Sequence, residues 1–531
     1  MNRRNLIKPM LVAGLTCVLL SGNNPVFGKN TSELPNIVLI LADDMGVGEP
    51  SYAGGIIPTP ALDGMAKEGM RFTDAHTSSA VCTPTRYGIL TGRYNWRSRL
   101  KAGVLFNPTD KALMDPKRLN MSNFLQKAGY HTACIGKWHL GADWVRAPRN
   151  TDKKKKGKSW QVDYTKPFKN GPLDVGFDEA FFILSSLDMA PYVYLRNDRA
   201  VTVPTVNKGF PHNEYNKYQR IGAAAKDFDA SNCLADWAAE SRRYIQRRAK
   251  DKSKKPFFLY LPLTSPHTPI TPGKDFKGRY KQYSWYADFM AETDWVVAQV
   301  LEQLKQSGLD NNTLVVFTSD NGFAPYVKIP KMIAAGYRPS GRYRGAKATI
   351  YEGGHRVPFI VRWPGKVAAG STSDATICTT DFFATFADVL GRKGEIPDNA
   401  AEDSFSFYPC LKGKKEQIRP FTIHHSISGK FAIRKGDWKL IMTRDAGGGW
   451  GLPWEKIKTK AKMVQLYNLK EDPSETKNLE DMYPEVVDGL VKDLAKALHD
   501  GRTTPGEKQS NDGWPYRDQA TMTQYPLLKN N

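Results

Sequence analysis

A chain of 531 residues is too long for one compact core and long enough for two. Hydrophobic residues at 40% and charged residues at 24% exclude wholesale disorder. The formal net charge of +22 points to a polyanionic partner, nucleic acid or sulfated polysaccharide, or to solubility alone. At the N-terminus Arg3, Arg4 and Lys8 precede an apolar run over 10–20 that is too short to span a bilayer. Residues 26–28 follow at the spacing a signal peptidase reads, so 1–28 is expected to be a removable secretory signal. Its removal takes three basic charges and leaves +19. No other apolar stretch reaches transmembrane length, which predicts an exported protein, periplasmic or secreted, with no transmembrane segment. Five cysteines then remain, Cys82, Cys134, Cys233, Cys378 and Cys410, with no CxxC pair and no metal-finger spacing. An odd count in an exported chain leaves at least one thiol unpaired.

Four short apolar runs, 36–42, 130–135, 257–263 and 313–319, read as buried parallel strands, which are continuously hydrophobic and do not alternate. Each is followed by polar side chains: Asp43-Asp44, Gly136-Lys137-Trp138-His139, Thr264-Ser265-Pro266-His267 and Asp320-Asn321-Gly322. Ligands of open α/β sheets bind beyond the carboxyl ends of the strands. Between them, 286–306 carries Phe289, Val296, Val297, Val300, Leu301 and Leu304 at helical spacing, with Gly308 as a stop. This predicts a doubly wound domain over roughly 33–385. Residues 391–403 read as a polar linker or long loop. Strands are expected over 421–425, 431–434, 438–443 and 464–469, and a helix over 483–498, giving a small α+β domain on an antiparallel sheet. The basic run 153–158 and the polar tail 502–531 are expected to lie outside the core.

The sharpest motif is Cys82-Thr83-Pro84-Thr85-Arg86, followed by Leu90-Thr91-Gly92-Arg93. Here the chain resembles the formylglycine-dependent sulfatases of the alkaline phosphatase superfamily, whose pattern is C-x-P-x-R with a downstream T-G-R. Position 85 is Thr where the family often has Ser or Ala. The resemblance continues through Asp43-Asp44, Gly136-Lys137-Trp138-His139, Pro266-His267-x-Pro269, Ser319-Asp320-Asn321-Gly322, and Lys347 with Glu352-Gly353-Gly354-x-Arg356-x-Pro358. It reaches Gly436-Asp437-Trp438-Lys439-Leu440 and Leu466-Tyr467-Asn468-Leu469. It implies an alkaline phosphatase-like α/β fold with a large mixed sheet, a catalytic domain over 29–385 and a C-terminal α+β subdomain with a polar tail over 386–531.

What the resemblance implies chemically is hydrolysis of a sulfate monoester, with Cys82 oxidised to formylglycine by a formylglycine-generating enzyme. One hydroxyl of the hydrated aldehyde attacks sulfur, and the other lets sulfate leave. Asp43, Asp44, Asp320 and Asn321, with residue 82, become the metal ligands; an all-oxygen set suits a hard cation, Ca²⁺ before Mg²⁺. Arg86 stabilises the nucleophile, and Lys137 and Lys347 grip sulfate oxygens. His267 donates a proton to the departing alcohol and His139 acts as base, two roles that could be exchanged. Pro84 places the nucleophile just before a helix, where the dipole favours an anion. Taken singly, each of these residues also reads as a turn, a cap or ordinary surface.

The expected substrate is a sulfated carbohydrate, galactose or N-acetylgalactosamine in type, with Asp188, Tyr192 and Arg196 in the segment 176–199 as substrate-binding residues. No nucleic acid is expected. The competing readings are a phosphonate monoester or phosphodiester hydrolase of the same superfamily, and a sulfated-polysaccharide-binding protein with an unmodified Cys82.

Overall fold

The structure, a computed structural model, describes residues 34–148, 157–209, 220–449 and 462–530. The expected signal segment and most of the basic run 153–158 lie outside the described residues. The described chain holds eighteen strands. Ten form one sheet: β1 (Asn36–Asp43), β2 (Met70–Phe72), β4 (His131–Lys137), β5 (Glu179–Ile183), β6 (Leu195–Arg196), β7 (Arg199–Ala200), β10 (Phe257–Pro266), β11 (Thr313–Ser319), β12 (Phe359–Arg362) and β13 (Ser371–Ser373). Their order is β13-β2-β12-β11-β1-β10-β4-β5-β6-β7. The centre, β11-β1-β10-β4-β5, is parallel; β12 runs antiparallel to both β11 and β2, and β6 and β7 close the far edge as antiparallel strands. The sheet is therefore mixed.

Every residue of β1, β10 and β11 is buried, as their unbroken apolar runs require. Successive side chains of β10 serve opposite faces. Phe257 meets Tyr244 of the helix Cys233–Lys250 at 5.6 Å, and Phe258 meets Phe386 of the helix Phe382–Val389 at 6.2 Å. Helices on both faces thus leave the carboxyl edge as the place where the central strands release polar side chains to a common site.

Two small pairs, β3 (Ala75–His76) with β14 (Ile377–Cys378) and β8 (Val206–Lys208) with β9 (Gly222–Ala224), flank the large sheet. The C-terminal part folds as the antiparallel sheet β15 (Thr422–His425), β16 (Phe431–Lys435), β17 (Trp438–Ile441) and β18 (Gln465–Asn468), covered by the helix Pro484–His499. Leu490, Leu494 and Leu498 of that helix are buried with Ile433, Leu440 and Leu466 of the sheet.

The polar stretch 391–403 is the exposed loop expected of it over 391–399, and only its end turns inward. There Glu402 pairs with Arg93 at 3.1 Å, and Asp403 with the buried Arg97 through two contacts of 2.8 Å. One sequence expectation is corrected here: the tail after 502 does not lie outside the core. Tyr516, Met522 and Leu528 are buried in the C-terminal cluster, and the carbonyls of Ser510 and Gly513 accept hydrogen bonds from Arg93 and Lys101. Anchors so widely spaced leave no periodic trace in a sequence. All five cysteines are unpaired and buried.

Candidate active site

Strand register assembles the site. Pairing of β1 with β11 sets Ala42 opposite Ser319, so Asp43-Asp44 and Asp320-Asn321 emerge side by side. On the other flank Asp43 stands opposite Pro266, which brings His267 to the same edge. Lys137 ends β4, the next strand. Asp44 and His139 leave their strands in the left-handed region, with φ of 71° and 57°, a conformation that costs a non-glycine residue about 1–3 kcal/mol and that the surrounding structure must hold in place.

Cys82 is the first residue of the helix Cys82–Thr91 and Arg86 lies one turn on, so both side chains share a face. Cys82 is thus inside the first turn and not before it. The Arg86 guanidinium is fully buried and donates to Asp320 at 2.7 and 3.0 Å and to the Lys137 carbonyl at 2.9 Å, with Asp43 at 3.7 Å. Lys137 Nζ lies 2.5 Å from Asp43. Lys347 Nζ lies 2.6 Å from Asp44 Oδ1, and Asn321 donates to that oxygen at 2.7 Å. Three cations therefore meet three carboxylates among buried side chains.

Burial alone would raise Asp43, yet Lys137, with His267, Arg86 and Lys347, holds it well below the usual carboxylate range. Burial, with Asp43 beside it, pushes Asp320 up to about 7 despite Arg86. Burial also pushes the Cys82 thiol up against the pull of Lys137 and Lys347, so the thiolate needed for nucleophilic attack is disfavoured here. Burial, then Lys137 and Arg86, keeps His139 well below its ordinary value; burial and Lys347 lower His267.

The two imidazoles have defined tautomers. His139 Nε2 donates to the Leu105 carbonyl at 2.8 Å, which leaves Nδ1 with its lone pair, buried and without a partner. His267 Nδ1 donates to the Thr268 carbonyl at 2.5 Å, leaving Nε2 3.7 Å from Asp44 Oδ2. Asp43 Oδ1 and Asn321 Oδ1 are likewise buried acceptors with no donor. Ligand atoms of Asp43, Cys82 and Asp320, and of Asp43, Asp44 and His267, lie within 4.8 Å of one another. Converging oxygens without donors fit a hard divalent cation. A second compact group, His76, His355 and His424, does not. Its ring nitrogens are engaged by Asp74, Thr77, Thr422, Lys439 and one another, and Lys439 and Arg434 would repel a cation.

Of the three substrate-segment residues, Asp188 lies near Tyr326 at the site's edge, Tyr192 is joined to it only through Arg220, and Arg196 lies apart. Asp188 is buried; its Oδ2 accepts from Arg220 at 2.6 Å while Oδ1 has no partner. The Tyr192 hydroxyl donates to the Arg220 carbonyl, so it supports that arginine from behind. Arg196 is placed elsewhere: on β6, near the sheet's far edge, it pairs with Glu240 at 2.9 Å and covers the Phe181 ring at 4.5 Å. Sequence reasoning missed Arg220, whose guanidinium lies 5.4 Å from the Phe106 ring, and Tyr326, whose hydroxyl lies 3.4 Å from both Asp44 and Lys347. Tyr326 follows Asn321-Gly322 closely enough to have been inspected; Arg220 sits in no motif.

Comparison with known proteins gives a consistent picture. A family model described as Sulfatase matches residues 35–392, and one described as N-sulphoglucosamine sulphohydrolase, C-terminal, matches 345–503. An N-acetylgalactosamine-6-O-sulfatase of Bacteroides thetaiotaomicron is 31% identical over 91% of this chain and 97% of its own length. Human steryl-sulfatase is 29% identical over 76% of this chain and 74% of its own. A solved Bacteroides thetaiotaomicron structure, described under metabolism of multiple glycosaminoglycans, superposes with a TM-score of 0.74 at 29% identity, covering 88% of this chain and 99% of that one.

Proposed function

Because this chain belongs to the sulfatase family and is a sulfuric ester hydrolase, we propose that it removes sulfate from a sulfated carbohydrate of galactose or N-acetylgalactosamine type, at the 6-position. The observation that carries this reading is the meeting of Cys82, three buried cations and unpaired carboxylate and amide oxygens at four strand ends. The preference for this sugar over a sterol rests on the relative named for N-acetylgalactosamine 6-O-sulfate, which matches more of both chains than the steryl-sulfatase does.

Asp43, Asp44, Asp320 and Asn321, with residue 82, would hold a divalent cation, calcium before magnesium, which when bound polarises the sulfate ester and the nucleophile oxygen. Formylglycine made from Cys82 by a formylglycine-generating enzyme supplies the hydroxyl nucleophile that a buried, protonated thiol does not. Lys137 and Lys347, each fixed by a carboxylate, present positive charge to the sulfate oxygens. Arg86 fixes Asp320 and adds charge behind the nucleophile. The free lone pair of His139 Nδ1 suits it to take a proton from the nucleophile hydroxyl. His267 has Nε2 free to carry a proton to the departing alcohol, because its Nδ1 is committed to a carbonyl. Asp188 Oδ1, with Arg220 fixed beside it, then receives sugar hydroxyls, as a buried acceptor without a donor requires.

The test is free-sulfate release from galactose, N-acetylgalactosamine and N-acetylglucosamine sulfated at different positions. Release from a galacto-configured 6-sulfate is expected, abolished by chelation and restored by calcium. At calcium a hundredfold above its dissociation constant, binding also stabilises the fold by about 2.7 kcal/mol, seen as a higher melting temperature. Faster cleavage of an aryl phosphodiester than of every sulfate ester would overturn the reading. On the sugar that is cleaved, Asp188→Ala is expected to lower kcat/KM by roughly 10–100-fold, the value of one buried polar contact to substrate. An unchanged kcat/KM would remove Asp188 from the pocket.

A further inference from the structure

The catalytic cleft holds no surplus of positive charge. Arg86, Lys137 and Lys347 are matched there by Asp43, Asp44 and Asp320. The excess of a chain with net charge +22 therefore lies elsewhere. One place is a cleft of about 890 Å³ along the seam between the large sheet and the C-terminal sheet. Its floor is set by Arg356 and Arg434, both buried and both 2.6 Å from Asp74. Arg342 and Lys470 stand at its exposed rim. Thr73, Asp374 and Gln417 also line a neighbouring hollow of about 580 Å³ that adds Lys414 and Lys415, so the two form one groove. Seven cationic side chains line it against four anionic ones. Among the described residues, Arg342, Lys414, Lys415 and Lys470 make no ion pair with a carboxylate.

Topology places this groove relative to the chemistry. β2 is antiparallel to β12, which is antiparallel to β11, so β2 runs parallel to β1. The end of β2, continued by Thr73 and Asp74, therefore lies at the same edge of the sheet as Asp43 and Asp320. β2 is three places from β1, roughly 15 Å at the usual spacing between strands. At that distance a single sugar held in the catalytic cleft does not reach the groove, whereas a polymer that passes through both does.

The lining also selects the polymer. The Arg342 and Arg356 guanidinium groups lie 5.5 Å and 4.3 Å from the Tyr343 ring, so cations already crowd the aromatic ring where a base would stack. Thr73, Thr376 and Gln417 supply hydroxyl and amide partners suited to sugar hydroxyls, and arginine forks suit sulfate oxygens as they suit phosphate. We propose that this groove is a second binding site, which holds a stretch of sulfated polysaccharide next to the part of the same chain that enters the catalytic cleft. The proposal rests on the reading of the substrate as a sulfated carbohydrate.

The test reads retention without turnover. In a Cys82→Ala background, the full chain is run through native gels containing chondroitin 6-sulfate, with Arg342→Glu/Lys470→Glu and Lys414→Glu/Lys415→Glu as double variants. Each pair is expected to weaken retention at least tenfold, with the retention of every variant falling as salt rises. The neutral pair Arg342→Gln/Lys470→Gln is expected to give a smaller loss in the same direction, and unchanged melting temperatures show that the fold is kept. Unchanged retention in both charge-reversed variants would overturn the proposal. So would equal retention of poly-uridylate with equal loss in the variants, since the groove would then be a general polyanion surface. Retention by the groove together with no sulfate release from the sugar panel would overturn the catalytic reading and leave this one standing.

Discussion

Cys82→Ala is expected to lower turnover on the order of 100,000-fold, to the level left when an enzyme keeps its binding groups and loses its nucleophile. The fold should barely register the change. Cys82 is fully buried at the start of its helix, and removing one sulfur atom there costs about 1 kcal/mol. The reason for so large a kinetic effect is the environment of residue 82. It lies within 4.8 Å of Asp43 and Asp320 ligand oxygens and close to Lys137 and Lys347, so a nucleophile at residue 82 stands among the charges the reaction uses. Burial keeps its thiol protonated, which makes unmodified Cys82 a poor substitute for an oxygen nucleophile. The measurement is sulfate release by wild type and variant, alongside the mass of the peptide carrying residue 82. In active wild type that mass should show the thiol replaced by an aldehyde. Retention of more than about a tenth of turnover in the alanine variant would place the nucleophile elsewhere.

Four of the five central strands, all but β5, were legible because a strand buried on both faces reads as an unbroken apolar run, and β1, β10 and β11 are buried throughout. The site was legible for a related reason: polar side chains directly after such runs must emerge at one edge of the sheet. β10 runs on to Pro266, so Thr264 and Ser265 extend the strand beyond the apolar run that ends at residue 263. The short strands β2, β6, β7, β12 and β13 were not seen, since two to four residues carry too little periodicity. The substrate side was legible only in part. Asp188 and Tyr192 meet through Arg220, 32 and 28 positions further on, a span that no local sequence pattern bridges, while Arg196 is drawn away to Glu240. Polarity misled after 502, because Tyr516, Met522 and Leu528 are buried anchors spaced too widely to show against a polar background.

The same seam of buried charge gives the largest expected effect on stability. Lys439 of β17 is fully buried, with Nζ 3.0 Å from Glu352, 2.8 Å from Glu475 and 3.2 Å from His355 Nε2. It heads a directed chain of hydrogen bonds. Lys439 donates to His355 Nε2, His355 Nδ1 then donates to His76 Nδ1 at 3.1 Å, and His76 Nε2 donates to Asp74 at 2.9 Å. Each ring is neutral with one proton in this arrangement, which ties β17 of the C-terminal sheet to β3 and to the segment that follows Lys347. Lys439→Met keeps the length of the side chain and removes its charge. It leaves the buried Glu475 without its cation and Glu352 with Arg356 alone, a loss of about 3–5 kcal/mol.

The pH dependence of that loss has a definite sign. Burial already raises Glu475 to about 7 against the pull of Lys439, with Glu352 adding to the rise, while Lys439 and Arg356 hold Glu352 well below the usual range despite its burial. Without Lys439 both carboxyls rise. A carboxyl raised in the folded state contributes stability at low pH that is lost as pH climbs from its unfolded value through its folded one. The deficit of the variant should therefore be smaller at pH 5.5 than at pH 8.5. Protonation of histidines in the unfolded chain is common to both proteins and drops out of the difference. Relief of His355 from the nearby ammonium works in the same direction, because burial, His424 and Lys439 together hold its pKa down. Urea denaturation of both proteins at the two pH values measures the difference. An equal deficit at both would mean that Lys439 acts through packing alone, and the charge-ordered seam would then not be what joins the C-terminal sheet to the catalytic edge.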